Sequence, residues 1–332
     1  MNYAIDEKCT VELGGYAQHI RIRSCDAGLP VLLFIHGGPG VCDRHWVLAN
    51  QSSLAEVCTM VCWDQRGAGL SWSGKLREAD MSVPRMVEDA HELLLYLKNR
   101  FHKRAIYIVG HSWGSLLGTL LAHSYPEDVA AYIGMGQFVN GPENERLSYE
   151  FVLNEAQKRG DAKALKDLER IGWPKNGHYA SLDDLMVQRD LMTKYGGEDY
   201  GESDGIIKAV VMPILRSPEY GLLDLWKYYK GAFFSLRALW EEVVDYDLGQ
   251  SVPELKVPVY LTEGRHDQNT PIPIAQAWFE KLAAPRKEWI WFEQSAHSPI
   301  KNEPEAWGAA VRGILAKEEN LEETGTRETP EK

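Results

Sequence analysis

Residues 105–122, Ala-Ile-Tyr-Ile-Val-Gly-His-Ser-Trp-Gly followed by Ser-Leu-Leu-Gly-Thr-Leu-Leu-Ala, constrain this chain more than any other stretch. They read as an apolar strand, a G-x-S-x-G turn and a small-residue helix, the sequence form of a nucleophile elbow. Such a turn lifts the central serine clear of a sheet and seats it on a helix N-terminus. Ser112 is the candidate nucleophile. Gly110 and Gly114 fit the mechanics, because the turn leaves no room for a Cβ at either position.

The surroundings extend the pattern. Thr10 to Arg23 looks like two alternating strands joined at Gly14-Gly15, an antiparallel hairpin for a sheet edge. Short apolar runs at Val31 to Ile35, Val57 to Trp63, Ala105 to Val109 and Ala131 to Met135 suit buried strands, and Val83 to Arg100 has helical spacing. This alternation predicts a mostly parallel α/β sheet with helices on both faces. From Asn140 to Leu248 the pattern turns helical and polar, which predicts an inserted helical cap. Strand and helix then resume at Val257 to Thr262, Ile274 to Leu282, Glu288 to Phe292 and Pro304 to Leu315. The expected division is core 1–139, cap 140–248, core 249–316 and a disordered acidic tail 317–332, since that glutamate-rich tail is nearly free of apolar residues.

Composition narrows the function. At 332 residues and 44% hydrophobic, the chain can bury one large core or a core with an insertion. A net charge of −12 opposes nucleic-acid binding, which needs clustered Lys and Arg. No apolar run reaches the roughly 18 residues of a membrane span, and no secretory leader precedes the five cysteines, so reduced thiols and a cytoplasmic location are expected. Neither a metal nor another cofactor is expected. Gly69 to Leu76 nearly spells a phosphate loop but lacks its Ser or Thr, and His91-Glu92 lacks the second histidine of a zinc helix.

A serine hydroxyl needs a base, and the base needs an orienting acid; on a nucleophile-elbow scaffold the chain order is Ser, Asp or Glu, His. Asp267 stands just past one late strand and His297 just past the last, the loop positions where open α/β sheets carry their sites. Asp267 is preferred to its neighbours Glu263, nearer the strand, and His266, one residue out of phase. His36-Gly-Gly-Pro-Gly40 follows the first core strand, so the N–H groups of Gly38 and Trp113 are the expected oxyanion donors.

His36-Gly-Gly-Pro-Gly40, Trp63-Asp-Gln-Arg-Gly67-Ala-Gly69-Leu-Ser71 and Gly110-His-Ser-Trp-Gly114 together resemble the proline iminopeptidase branch of the α/β-hydrolases, over nearly the whole chain up to Ala316. The resemblance implies a cofactor-free Ser112, Asp267, His297 triad beneath a helical cap. It also implies release of an N-terminal residue, often proline, from short peptides. Family members hold the substrate amine with acidic side chains, some from the cap and, in some members, a Glu after the triad Asp; Gln268 stands at that last position here. Glu150, Glu155, Glu241 and Glu242 are cap candidates for the amine, and Trp226 leads the cap aromatics that suit an apolar pocket. An esterase, lactonase or amidase, or an inactive ligand-binding homologue, uses the same scaffold.

Overall fold

The computed structural model describes residues 2–201, 214 and 217–324. Eight strands form one sheet: β1 (Ile5–Leu13), β2 (Tyr16–Ser24), β3 (Val31–Ile35), β4 (Thr59–Asp64), β5 (Ile106–His111), β6 (Val129–Met135), β7 (Val259–Gly264) and β8 (Lys287–Phe292). Their order is β1-β2-β4-β3-β5-β6-β7-β8. The first two strands pair antiparallel around the Gly14-Gly15 turn, β2 pairs antiparallel with β4, and all other neighbours are parallel. Each central parallel strand has both faces covered, which is why β3, β4 and β6 are buried along their whole length and read as continuous apolar runs.

The covering helices begin with α1 (Arg44–Asn50), α2 (Val83–Phe101) and α3 (Trp113–Ser124). Helix α2 starts where the Ser82 hydroxyl accepts the Arg85 N–H and ends at His102 in the left-handed region. One core packs α2 and α3 against Leu33, Ile35, Ile106 and Ile108; the opposite face packs Val47 and Leu48 of α1 with Trp307 and Val311 near the C-terminus.

Between β6 and β7 the described residues form α4 (Gly141–Arg159), α5 (Ala162–Ile171), α6 (Leu182–Lys194) and α7 (Leu222–Val244). They share a separate apolar cluster of Tyr149, Val152, Leu168, Leu185, Met192 and Trp240. The entry and exit of this insertion touch: Gly141 N–H donates to Tyr246 O at 3.0 Å and Leu248 N–H to Val139 O at 2.7 Å. After it come α8 (Ile272–Lys281) and α9 (Pro304–Glu323).

The C-terminal expectation needs correction. Helix α9 does not stop near Leu315 but runs to Glu323. Glu318 is buried, accepts Arg286 Nη2 at 2.7 Å and accepts the Tyr260 hydroxyl at 2.6 Å. Residues 317–323 are therefore helix rather than tail, capped by Thr324, and 325–332 lie outside the described residues. No helix among the described residues is long and apolar enough to cross a membrane.

Candidate active site

The elbow is as tight as its glycines suggest. A Cβ on Gly114 would lie 2.0 Å from Ile35 O and one on Gly110 would lie 2.4 Å from Gly114 O. Between them Ser112 takes φ 56° and ψ −121°, a left-handed-side conformation that a non-glycine residue holds only under constraint. The constraint comes from β6, where Met135 O accepts the Ser112 N–H at 2.9 Å, and from α3, which begins at Trp113.

Asp267 and His297 meet from the loops after β7 and β8. His297 Nδ1 lies 2.8 Å from Asp267 Oδ2. The carboxylate is fully committed: its Oδ1 accepts the N–H groups of Asn269 and Thr270 at 2.8 and 2.9 Å, and Oδ2 accepts the Thr270 hydroxyl at 2.7 Å. Burial by itself pulls the His297 pKa down; Asp267 and then Glu198 outweigh it and push the imidazole up to about 9. His297 Nε2 is buried without a partner, the atom a nucleophile's proton would need. The competing residues are elsewhere. Glu263 is buried behind Asp267, accepting the Gln137 N–H, and burial followed by the Asp267 charge raises its pKa well above the usual range. His266 is exposed against the Tyr200 ring.

The loop after β3 is braced from below. Burial lowers the His36 pKa to about 4, so its ring is neutral. Its Nε2 accepts the Gln65 N–H at 3.3 Å, leaving Nδ1–H to donate to Gly37 O at 2.8 Å. Gln65 in turn accepts the Trp113 indole N–H at 2.9 Å. The adjoining charges are structural: Arg44 pairs with Asp64 at 3.3 Å and Arg66 with Asp89 at 2.6 Å. Gly38 holds φ +121° and, with Trp113, lines the same cavity as Ser112.

Two chambers open from Ser112. The first, about 250 Å³, is walled mainly by Phe138, Leu185, Phe233, Leu236, Trp240 and Val243, with Glu145 and Arg189 as its charges. The second, about 320 Å³, contains His297, His111, His45, Glu198, Asp199 and Lys301. Gly38, Val41, Ser112, Arg189 and Asn269 border both.

A family profile described as the alpha/beta hydrolase fold matches residues 30–171. "Probable aminopeptidase YbaC" of Bacillus subtilis (strain 168) is 32% identical over 297 residues, covering 89% of this chain and 91% of its own. The chain is an α/β-hydrolase. A "Proline iminopeptidase" of Heyndrickxia coagulans is 23% identical to the hydrolase over 312 residues, covering 91% of this chain and 96% of its own. The crystal structure of a proline iminopeptidase from Mycobacterium smegmatis shares its fold with a TM-score of 0.63 at 17% identity, over 94% of this chain and 98% of that one. The hydrolase is thus similar in sequence and fold to enzymes named aminopeptidase and proline iminopeptidase.

Within the hydrolase, the substrate-binding candidates fall away from both chambers. Glu150 pairs with Arg146 on the outer face of α4, and Glu155 with Lys158 and Arg159. Glu241 pairs with His178 at the surface, and Glu242 accepts the Val83 N–H. Gln268 is fixed through its backbone, to Gly197 O and the Ser148 hydroxyl. Trp226 is 58% exposed, edge-on to Trp72, and the aromatic side chains of the insertion that line the first chamber are instead Phe233 and Trp240. The carboxylate that does line it is Glu145. It is 1% exposed, Oε1 accepts Arg189 at 2.6 Å, and Oε2 has no partner. Sequence reasoning passed over it. The available signal was phase: Glu145 shares the buried stripe of Tyr149, Val152 and Ala156 on α4.

Proposed function

We propose that the hydrolase removes an N-terminal residue from short peptides or aminoacyl amides by acyl transfer. Ser112 Oγ attacks the carbonyl as His297 Nε2 takes its proton, and Asp267 holds and stabilises the imidazolium. The N–H groups of Gly38 and Trp113 stabilise the oxyanion. His297 returns the proton to the leaving nitrogen as the C–N bond breaks, and water, deprotonated by the same base, frees the acyl group. One observation carries this reading: a histidine tied to a fully hydrogen-bonded carboxylate at 2.8 Å, its other nitrogen unpartnered, in a cavity with a conformationally constrained serine. The helical insertion, 140–248, acts as the cap that roofs this site.

The substrate amine is assigned to Glu145. An acyl group sits opposite the leaving group, and the leaving group must lie on the His297 side, so the first chamber takes the acyl residue. Its apolar walls suit proline or another apolar side chain. The free carboxylate oxygen of Glu145 accepts the ammonium that would otherwise be stranded there. The five free thiols suit a reducing cytoplasm. The second reading, an esterase or amidase without amine recognition, is favoured by the pairing of Glu145 with Arg189, which neutralises the chamber.

The test compares prolyl and alanyl anilides with their N-acetylated forms and with a phenyl ester. The expected result is turnover of the free-amine anilides, its loss on acetylation, and abolition of all turnover and fluorophosphonate labelling in Ser112→Ala. Equal rates for free and acetylated anilides refute the aminopeptidase assignment and leave acyl transfer standing.

A further inference from the structure

The second chamber has a charge balance that the chemistry above does not use. Arg189 is spent on Glu145 at 2.6 Å, and Lys301 on Asp199 at 2.8 Å. Glu198 remains. It is a half-buried carboxylate whose Oε2 accepts the Asn269 amide; among the described residues no cation is in ion-pair contact with it, although its charge reaches His297 and Arg189. Its backbone carbonyl accepts the His297 N–H at 3.1 Å, which fixes this loop of the insertion beside the base.

Asp43 lines the same chamber, 3.8 Å from His111 Nδ1. Burial pushes its carboxyl up to about 7, so near neutral pH it carries only part of a charge, and burial followed by the charge of His297 keeps His111 neutral; Glu198 is the chamber's full negative charge outside its ion pairs. A second observation points to a ligand rather than to a merely acidic wall. His45 lines the same chamber at 3% exposure, and both of its ring nitrogens lack a partner. Burial followed by the Lys301 charge lowers its pKa to about 3, so the ring is neutral and offers a bare lone pair. A buried unpaired acceptor costs free energy unless a donor arrives to use it.

We propose that this chamber is the leaving-group subsite and that it selects leaving groups carrying a positive charge, with Glu198 as the selecting residue. The assignment of sides rests on the proposed role of His297, which must reach the departing atom. A lysine or arginine residue after the scissile bond has the required chemistry, its charge for Glu198 and its N–H groups for His45; a quaternary ammonium alcohol answers Glu198 alone and so isolates the charge effect. Anionic leaving groups are disfavoured by the same Glu198 carboxylate.

The experiment uses matched pairs that differ in charge alone: butyrylcholine against 3,3-dimethylbutyl butyrate, and prolyl-lysine amide against prolyl-norleucine amide. In the wild-type enzyme kcat/KM is expected to favour the cationic member on the order of tenfold, and Glu198→Gln to shrink that ratio below about threefold. Each ratio is taken within one preparation, so any loss of folded enzyme cancels. A wild-type ratio near one, or a preference that survives Glu198→Gln, overturns the subsite. Failure of both dipeptide amides with a charge preference on the esters rejects the aminopeptidase reading and keeps the subsite. Cleavage of both amides at equal rates does the reverse.

Discussion

If His297 is the base, the pH at which this enzyme works is set by its raised pKa. The imidazole must be neutral to accept the Ser112 proton, and in the free enzyme it loses its own proton only near pH 9. At pH 7 the neutral fraction is then about one in a hundred, and at pH 8 about one in ten. The expected profile of kcat/KM on a prolyl anilide or phenyl ester climbs about tenfold per pH unit from about pH 6 and levels only beyond about pH 9. Glu198 is the second negative charge holding the proton on, after Asp267. Glu198→Gln should therefore move the midpoint toward neutrality while retaining a plateau. The measurement is kcat/KM at constant ionic strength, corrected for spontaneous hydrolysis. A rise complete by pH 7, with a midpoint near the ordinary 6.5, refutes the electrostatic argument; an unmoved midpoint in the variant refutes the role of Glu198. The same shift has a stability side. The native state binds this proton more tightly than the unfolded chain, so the group stabilises the fold fully below pH 6.5 and loses that contribution as pH rises through about 9.

Two further outcomes follow from packing. Gly114→Ala would put a methyl 2.0 Å from the Ile35 carbonyl, backbone against backbone, and should cost about 3 kcal/mol in urea unfolding; a wild-type midpoint would show that the elbow has slack. Glu318→Ala strands Arg286 and the Tyr260 hydroxyl and should cost about 2 kcal/mol, visible as a lower Tm, whereas no change would mean that α9 beyond Leu315 is ornamental.

The parts of this molecule written locally were legible in the sequence. The buried strands, the hairpin and the elbow each follow from a period of two, an unbroken apolar run or a steric demand for glycine, and the structure shows strands at all those positions within a few residues. Ser112, Asp267 and His297, the proposed triad, could be picked out because each stands in the turn or loop that follows a strand. Glu145 and Glu198 had no such marker, because the first enters its chamber by helix packing and the second by a loop that bonds to His297. Glu150 is five positions along α4 from Glu145, which turns it through about 140° and onto solvent. The acidic C-terminal stretch misled for a similar reason: composition carries no trace of Arg286 and Tyr260, the distant partners that make Glu318 a buried residue.

The stitched neck of the insertion has a consequence for how such a protein changes over evolutionary time. Residues 139–141 bond directly to residues 246–248, and β6 and β7, on either side, are already neighbours in the sheet. Everything between is a loop that leaves and re-enters the core at one neck, although it also bonds the core along its length, as Tyr228 does Cys42 and Ser235 does Gly67, and lengthening such a loop costs little entropy. Ser112, His297, Gly38 and Trp113, the proposed nucleophile, base and oxyanion donors, all belong to the part outside that loop. Glu145, Arg189 and Glu198 all belong to the loop. An exchange of that one segment between relatives would thus replace the substrate contacts while keeping Ser112, Asp267 and His297, and would retune the reaction's pH through Glu198, so that new specificity can be acquired by grafting rather than by rebuilding.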